Sequence, residues 1–171
     1  MHKKTVIWIT GLPGTGKTTL AKKVFSLIRL KVPAVFIDGD AVRKMTGNDL
    51  GYSVKDRIKN AYRISRLCKL LSDQGLVVVC ATVSLFKEIH TWNRRNMPGL
   101  FEVFIDTPAH ILHQRDRKKL YTKSKAGKIT DLVGIHQSYD VPRDPHLIIS
   151  NSQEKKNLLK RAQLIVESLR L

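Results

Sequence analysis

Short apolar runs alternate along this chain with longer stretches in which apolar residues recur every three to four positions. That alternation sets the expected architecture. Five runs predict strands at 5–10, 34–37, 77–81, 101–105 and 147–149, each short and largely apolar at successive positions. Strands of that kind are buried on both faces of a parallel sheet. The spacing Leu20-Ala21, Val24-Phe25, Leu27-Ile28 predicts a helix over 17–30. Further helices are expected over 56–74, closed by the C-cap signal Gly75, around 86–96, over 108–120 with Thr107 as N-cap and proline at N1, and over 154–171. The order implies an α/β chain with three layers, a mainly parallel sheet and right-handed crossovers. Ligands then gather at the carboxyl ends of the strands.

The junction of the first strand and first helix carries the strongest chemical signal. Gly11-Leu12-Pro13-Gly14-Thr15-Gly16-Lys17-Thr18, with Thr19 behind it, fits G-x-x-x-x-G-K-[ST] in the strand-loop-helix setting that this pattern requires. The glycines let consecutive backbone N–H groups turn into one anion-binding nest, and the positive end of the following helix adds to it. Lys17 can reach the β- and γ-phosphates of a triphosphate, and the Thr18 hydroxyl can ligate Mg²⁺. A nucleotide's phosphates with Mg²⁺ are therefore the expected ligands of this loop.

At 171 residues the chain supports one hydrophobic core, and no repeat, low-complexity tract or long linker divides it. One domain over 1–171 is expected. Its two cysteines, Cys68 on a helix and Cys80 on a strand, are too few for a disulfide framework and lack metal-ligand spacing, so both read as reduced thiols. The basic start leads through a short apolar run straight into the phosphate loop, which reads as core and not as a signal peptide. No apolar run reaches membrane-spanning length, and a cytoplasmic location is expected.

Charge adds one constraint. The formal net charge of +17, from 31 Lys+Arg against 14 Asp+Glu, would attract polyanions. The basic residues are spread along the chain, however, and no motif interleaves them with aromatics, which argues against nucleic acid as partner. The densest cluster is Arg115, Arg117, Lys118, Lys119, Lys123, Lys125 and Lys128, with Asp116 as its single acid. It suits a mobile flap that closes cations over phosphates, a basic lid at about 115–135.

Other strand ends carry matching chemistry. Asp38-Gly39-Asp40 follows the second strand as a turn with two carboxylates, able to serve the water shell of Mg²⁺ and a hydroxyl to be deprotonated. Arg43 follows. Arg57 and Asn60 share a helix face and can together hold an anionic, hydrogen-bonding ligand, while Tyr52 can stack on a base. His90, His110 and His113 read as solvated or packed side chains, Trp8 as core, and Trp92 as packing before ligand contact.

Taken in order, Gly11 to Thr19, Asp38-Gly39-Asp40 with Arg43, Gly51-Tyr52-Ser53 with Asp56-Arg57 and Asn60, Val83-Ser84, Glu102 to Pro108, Arg115-Asp116 with Lys118 and Leu120-Tyr121, and Gly134-Ile135 with Tyr139, Pro142 and Pro145 resemble the adenylylsulfate kinase family. The resemblance covers nearly the whole chain and implies a P-loop NTPase/kinase fold. It implies transfer of the ATP γ-phosphate to the ribose 3′-hydroxyl of adenosine 5′-phosphosulfate, a small-molecule nucleotide substrate. Gly11, Leu12, Pro13, Gly14, Thr15, Gly16, Lys17, Thr18 and Thr19 would hold ATP, with Thr18 and Asp38 at the metal. Asp40 would accept the 3′-hydroxyl proton, although the roles of Asp38 and Asp40 are exchangeable at this stage. Arg43, Arg57 and Asn60 would grip the acceptor's anhydride and ribose, Tyr52, Val83 and Leu132 would line its pocket, and Lys118 would belong to the lid. The family also marks the serine matching Ser84 as a phosphoserine intermediate, whereas direct in-line transfer needs only positioning and charge stabilisation. Relatives often pair as homodimers; the sequence carries no interface signature.

Departures from the family pattern fall on the acceptor side. Ala41 replaces an asparagine, Leu132 stands where the family usually has a phenylalanine that sandwiches adenine, and Ser84-Leu85-Phe86-Lys87 replaces Ser-Pro-x-Arg. Arg117 and Lys119 replace a proline and a glycine of the lid. Losing one face of a base sandwich removes roughly 1–3 kcal/mol. The stretches 68–75 and 92–94 resemble kinases of cytidine 5′-diphosphoramidate from surface-polysaccharide pathways, which phosphorylate the same hydroxyl on another nucleotide anhydride. A non-catalytic basic nucleotide- or RNA-binding module is the alternative of another class, and the intact Lys17, Thr18, Asp38 and Asp40 argue against it.

Overall fold

In a computed structural model that describes residues 4–116, 119–151 and 157–169, the apolar runs form one sheet of five parallel strands. These are β1 (Thr5–Thr10), β2 (Ala34–Asp38), β3 (Val77–Thr82), β4 (Leu100–Asp106) and β5 (Leu147–Ser150), in the order β2-β3-β1-β4-β5. The central strands β1 and β3 are buried at every position, which is why their sequences run apolar without alternation. In the register, Ile7 lies beside Val79 and Phe101, and Trp8 beside Cys80 and the one charged residue of the set, Glu102.

The two faces of the sheet take different helices. Ile7, Ile9, Val79, Val103 and Ile149 pack with α1 (Lys17–Ile28) and α7 (Leu158–Ser168). Val6, Trp8, Val78 and Cys80 pack with α3 (Val54–Asp73) and α4 (Lys87–Asn96). Helix α3 buries Ala61, Ile64, Ser65, Cys68 and Ser72 at helical spacing, so one apolar stripe meets the sheet. Burying a side chain such as Ile64, 1% exposed, contributes roughly 1.5–3 kcal/mol. Cys68 and Cys80 are free and buried, and Trp8 is core. No helix among the described residues is long and apolar enough to cross a membrane.

Helix ends differ from the sequence expectation where local capping decides them. Helix α3 starts at Val54, not 56, because the Ser53 hydroxyl accepts from the Asp56 N–H and donates to its carboxylate. Helix α1 ends at Ile28, where the chain turns into Lys31 and Val32. The turn expected at 38–40 instead opens a helix, α2 (Gly39–Met45), with Asp38 as N-cap. The helix expected over 108–120 is two pieces, α5 (Ala109–Arg115) and α6 (Leu120–Lys125), and Pro108, not Thr107, is the N-cap residue. Asp116 breaks it: its N–H still bonds Leu112, but its carboxylate accepts from the Tyr121 and Thr122 N–H groups and starts a new helix. Residues 152–156 and 170–171 of the expected last helix lie outside the described residues.

One buried charge interrupts the apolar sheet. Glu102 in β4 is fully buried, with Oε1 2.7 Å from His90 Nδ1 and Oε2 accepting from Arg94 at 2.7 Å. His90 is thus a packed, paired residue on α4. Burial opposes the charged form of Glu102, but the hydrogen bonds from His90 and Arg94 outweigh it and hold the carboxyl below its usual value. A lowered folded value means that the stabilisation is present above the ordinary carboxylate range and is lost as pH falls through the folded value. Removing one partner of such a pair strands the others, so Glu102→Ala is expected to cost about 3–5 kcal/mol in urea unfolding at pH 7. The deficit should shrink in acid; a variant as stable as the parent at pH 7 would contradict the assignment.

Candidate active site

Every strand delivers a functional segment to the carboxyl edge of the sheet. The phosphate loop follows β1, Asp38 ends β2, Val83 and Ser84 follow β3, α5 follows β4, and Asn151 follows β5. Together with α3 they enclose a cavity of about 1190 Å³. Clefts for small ligands typically span about 300–1,000 Å³, and this one lies just above that range.

At one pole lies the phosphate loop. Gly14 and Gly16 adopt left-handed φ values of 84° and 89°, which turn successive peptide units inward. The carbonyl of Leu12 accepts from the Thr15 N–H, from Thr15 Oγ1 at 2.9 Å and from Lys17 Nζ at 2.7 Å. Lys17 is nearly buried, so its charge is held inside the loop. Thr18 Oγ1 donates to Asp38 Oδ2 at 2.9 Å, while Asp38 Oδ1 accepts from the Asp40 N–H at 2.9 Å. Both oxygens of Asp38 are therefore engaged, and Asp40 is the more exposed of the two acids on the cavity wall. Gly39 between them is required by space, because a Cβ there would lie 2.9 Å from Thr82 Oγ1.

Cations form the opposite pole. Arg43 is nearly buried and donates to the Leu50 and Gly51 carbonyls; Arg57 donates to the carbonyls of Tyr52 and Asp131. Both guanidiniums sit over the Tyr52 ring, at 4.7 and 5.2 Å from its centroid. Burial, and then the charge of Arg43, lower the pKa of Arg57, the signature of two cations held close together. An anion between them relieves that repulsion. Asn60, on the same wall, is buried and its Oδ1 has no hydrogen-bond partner among the described residues. A buried acceptor of this kind calls for a donor from a ligand or water.

Of the residues singled out from the sequence, Pro13, Gly14, Gly16 to Thr19, Asp38, Asp40, Arg43, Tyr52, Arg57, Asn60, Val83, Ser84 and Leu132 line this cavity. Gly11, Leu12 and Thr15 complete the loop behind the lining residues. Lys118 lies outside the described residues. The Tyr52 ring, expected to flank a base, lines the cavity and carries the two guanidiniums. Leu132, expected where the family has an adenine-stacking ring, is 3% exposed and packs with Leu112 and Tyr121 on the cavity wall. Ser84 is buried, its Oγ 2.9 Å from Thr82 Oγ1. Trp92 packs edge-on against Tyr62, away from the cavity.

The sequence reading missed how α5 and α6 are held. Tyr121 donates its hydroxyl to the Pro13 carbonyl at 2.8 Å, and its pKa is pushed up to about 12 by burial and by Asp116. The Asp116 carboxylate accepts from two backbone N–H groups and the Thr122 hydroxyl. Asn151 and Arg161 were missed as well; a polar residue after an apolar strand carries no signal that distinguishes it from an ordinary strand end.

The family model described as Adenylylsulphate kinase matches residues 3–150. Cytidine diphosphoramidate kinase of Campylobacter jejuni is 36% identical over 167 residues, covering 97% of this chain and 96% of that protein. Adenylyl-sulfate kinase of Buchnera aphidicola is 37% identical over 163 residues, covering 94% of this chain and 77% of the relative. Among solved structures, the Mycobacterium tuberculosis APS kinase CysC in complex with AMPPNP and APS superposes with a TM-score of 0.89 at 34% identity, covering 98% of both chains.

Asp116 is expected to act as the cap that orders α6 over the loop. Asp116→Ala should cost about 0.5–2 kcal/mol of local stability. Hydrogen exchange at the amides of 120–125 reads this directly, and protection equal to that of the parent would contradict the capping role.

Proposed function

The chain belongs to the adenylylsulphate kinase family, and from that premise we propose that it transfers the γ-phosphoryl group of ATP to the ribose 3′-hydroxyl of a nucleotide 5′-anhydride, adenosine 5′-phosphosulfate. One observation carries the reading: the phosphate loop and a pair of arginines held by backbone carbonyls line one and the same cavity of about 1190 Å³. The loop takes the donor. Lys17, released from the Leu12 carbonyl, follows the transferred group and offsets its charge. Thr18 Oγ1 and Asp38 Oδ2 are adjacent hard oxygens and fit Mg²⁺, which neutralises charge on the phosphate oxygens when bound.

Arg43 and Arg57 take the anionic anhydride of the acceptor, and Asn60 takes one of its donors. Asp40 is the base for the 3′-hydroxyl, because Asp38 is committed to Thr18 and to capping α2. Ser84, buried against Thr82, shapes the wall between the ligands, and transfer is direct and in line. The basic segment at about 115–135 closes as a lid over the phosphates and excludes water. The reaction draws on cytoplasmic ATP.

Cytidine 5′-diphosphoramidate is the second reading of the acceptor. What favours it is Leu132: an aliphatic, packed side chain stands where an adenine sandwich needs a ring. The two readings share donor, base and hydroxyl, and differ only in what the acceptor pocket holds.

Steady-state kinetics with ATP and Mg²⁺ on both acceptors test the assignment. Turnover of adenosine 5′-phosphosulfate is expected; turnover of the cytidine compound alone would transfer the assignment to the second reading, and turnover of neither would end both. On the active acceptor, Lys17→Ala should lower kcat by a factor on the order of 10²–10³. Asp40→Asn should also lower kcat, while Asp38→Asn should raise the Mg²⁺ concentration needed for half-maximal rate. The opposite assignment of the two acids would reverse that pattern.

A further inference from the structure

The phosphate loop is tied to the far edge of the sheet by two residues that the proposed reaction leaves without a role. Asn151, just after β5, donates from Nδ2 to the Thr15 carbonyl at 2.7 Å. Its Oδ1 accepts from Arg161 Nη1 at 2.6 Å, and Arg161 Nη2 donates to the Ser150 carbonyl at 2.9 Å. The Asn151 N–H donates to the Asp106 carbonyl at 2.8 Å, which anchors the residue to β4. Since the guanidinium claims the amide oxygen, the amide nitrogen has to face Thr15.

We propose that Asn151, oriented by Arg161, is a positioning residue that aims the Gly16 N–H at the donor phosphates. The C=O of Thr15 and the N–H of Gly16 belong to one planar trans peptide, so they point in opposite directions. Holding the oxygen on the outside of the loop turns the N–H to its inside. Gly16 is the N-cap residue of α1, has φ of 89° and supplies no side-chain cap, so its peptide takes its orientation from the loop around it. The contact is close: a Cβ on Gly16 would lie 3.3 Å from Asn151 Nδ2. Asn151, Arg161 and Gly16 border the same cavity, which places the clamp at its rim. The clamp also carries α7 to the loop, because Arg161 is on α7 and both α7 and α1 pack on one face of the sheet.

This inference rests on the reading of the loop as the donor site, and equilibrium binding separates the two. Binding of AMPPNP and of inorganic tripolyphosphate, each with Mg²⁺, is measured by calorimetry for the parent, Asn151→Ala, Arg161→Ala and the double variant. Asn151→Ala should weaken both ligands by the same factor, about tenfold for one well-placed hydrogen bond. In turnover, the KM for ATP should rise while kcat and the KM for the acceptor change little. Because Arg161 acts through Asn151, the double variant should bind no more weakly than Asn151→Ala alone. Arg161→Lys, which keeps the charge but loses the fork, should show part of the loss and guards against a variant that fails to fold. Weakening of AMPPNP with tripolyphosphate unchanged would mean a base contact and overturn the proposal, as would additive losses in the double variant or unchanged binding of both ligands. A parent that binds AMPPNP but phosphorylates neither acceptor would end the proposed reaction and leave the clamp standing on its binding data.

Discussion

Three donors converge on the carbonyl oxygen of Leu12: the Thr15 N–H, the Thr15 hydroxyl and the Lys17 ammonium. That convergence closes the loop, and a Gly-rich turn of this kind can gather its remaining peptide N–H groups into an anion-binding nest. A nest of this type is intrinsically strained toward opening, since parallel N–H dipoles repel and two of its glycines sit at left-handed φ. It persists because the loop is braced on its sides. The hydroxyl of Tyr121 holds Pro13, the amide of Asn151 holds Thr15, and β1 beneath is buried at every position. The rigid sheet therefore serves as the frame that keeps an anion site formed before its anion arrives, which lowers the reorganisation that binding demands.

The same logic explains how the chain handles charge. Cations near the cavity are held by carbonyl oxygens: Arg43 by Leu50 and Gly51, Arg57 by Tyr52 and Asp131, Lys17 by Leu12. A carbonyl orients a guanidinium without neutralising it, so the positive potential remains for a ligand. Where the charge is structural the solution is the reverse. Glu102 has its own His90 and Arg94, and Asp49 takes Arg63 in a paired contact that lowers the Asp49 carboxyl to about 2.

Much of this was legible in the sequence because the relevant signals are local. The strands at 5–10 and 77–81 read correctly since burial on both faces leaves an unbroken apolar run. The phosphate loop, Asp38, Asp40, Arg57 and Asn60 read as site residues because glycine spacing and strand ends restrict what such residues do, and the cavity brings them together. What stayed hidden depends on partners far apart in the chain. Glu102 in an apolar strand gave no hint of His90 and Arg94, and Asn151 gave none of Thr15, 136 positions away. Helix α2 and the break at Asp116 were missed for a subtler reason. One aspartate side chain serves as a cap in each, and a cap competes on equal terms with the turn or continuous helix that composition alone suggests.

The double use of Asp38 links these levels. As N-cap of α2 it fixes the first turn that carries Asp40, and through Oδ2 it holds the Thr18 hydroxyl of α1. One carboxylate thereby sets the relation between the segment following β1 and the segment following β2, two strands that are not neighbours but flank β3. Gly39 makes this approach feasible, since only a residue without a Cβ passes Thr82 at that distance. The segments that follow β1 and β2 are then spaced by the width of one intervening strand, fixed by backbone hydrogen bonds and not by side-chain rotamers. A separation built into the sheet tolerates substitution of the walls around it. Leu132, packed with Leu112 and Tyr121 on the cavity wall, belongs to no strand, so a change at that position leaves the spacing untouched.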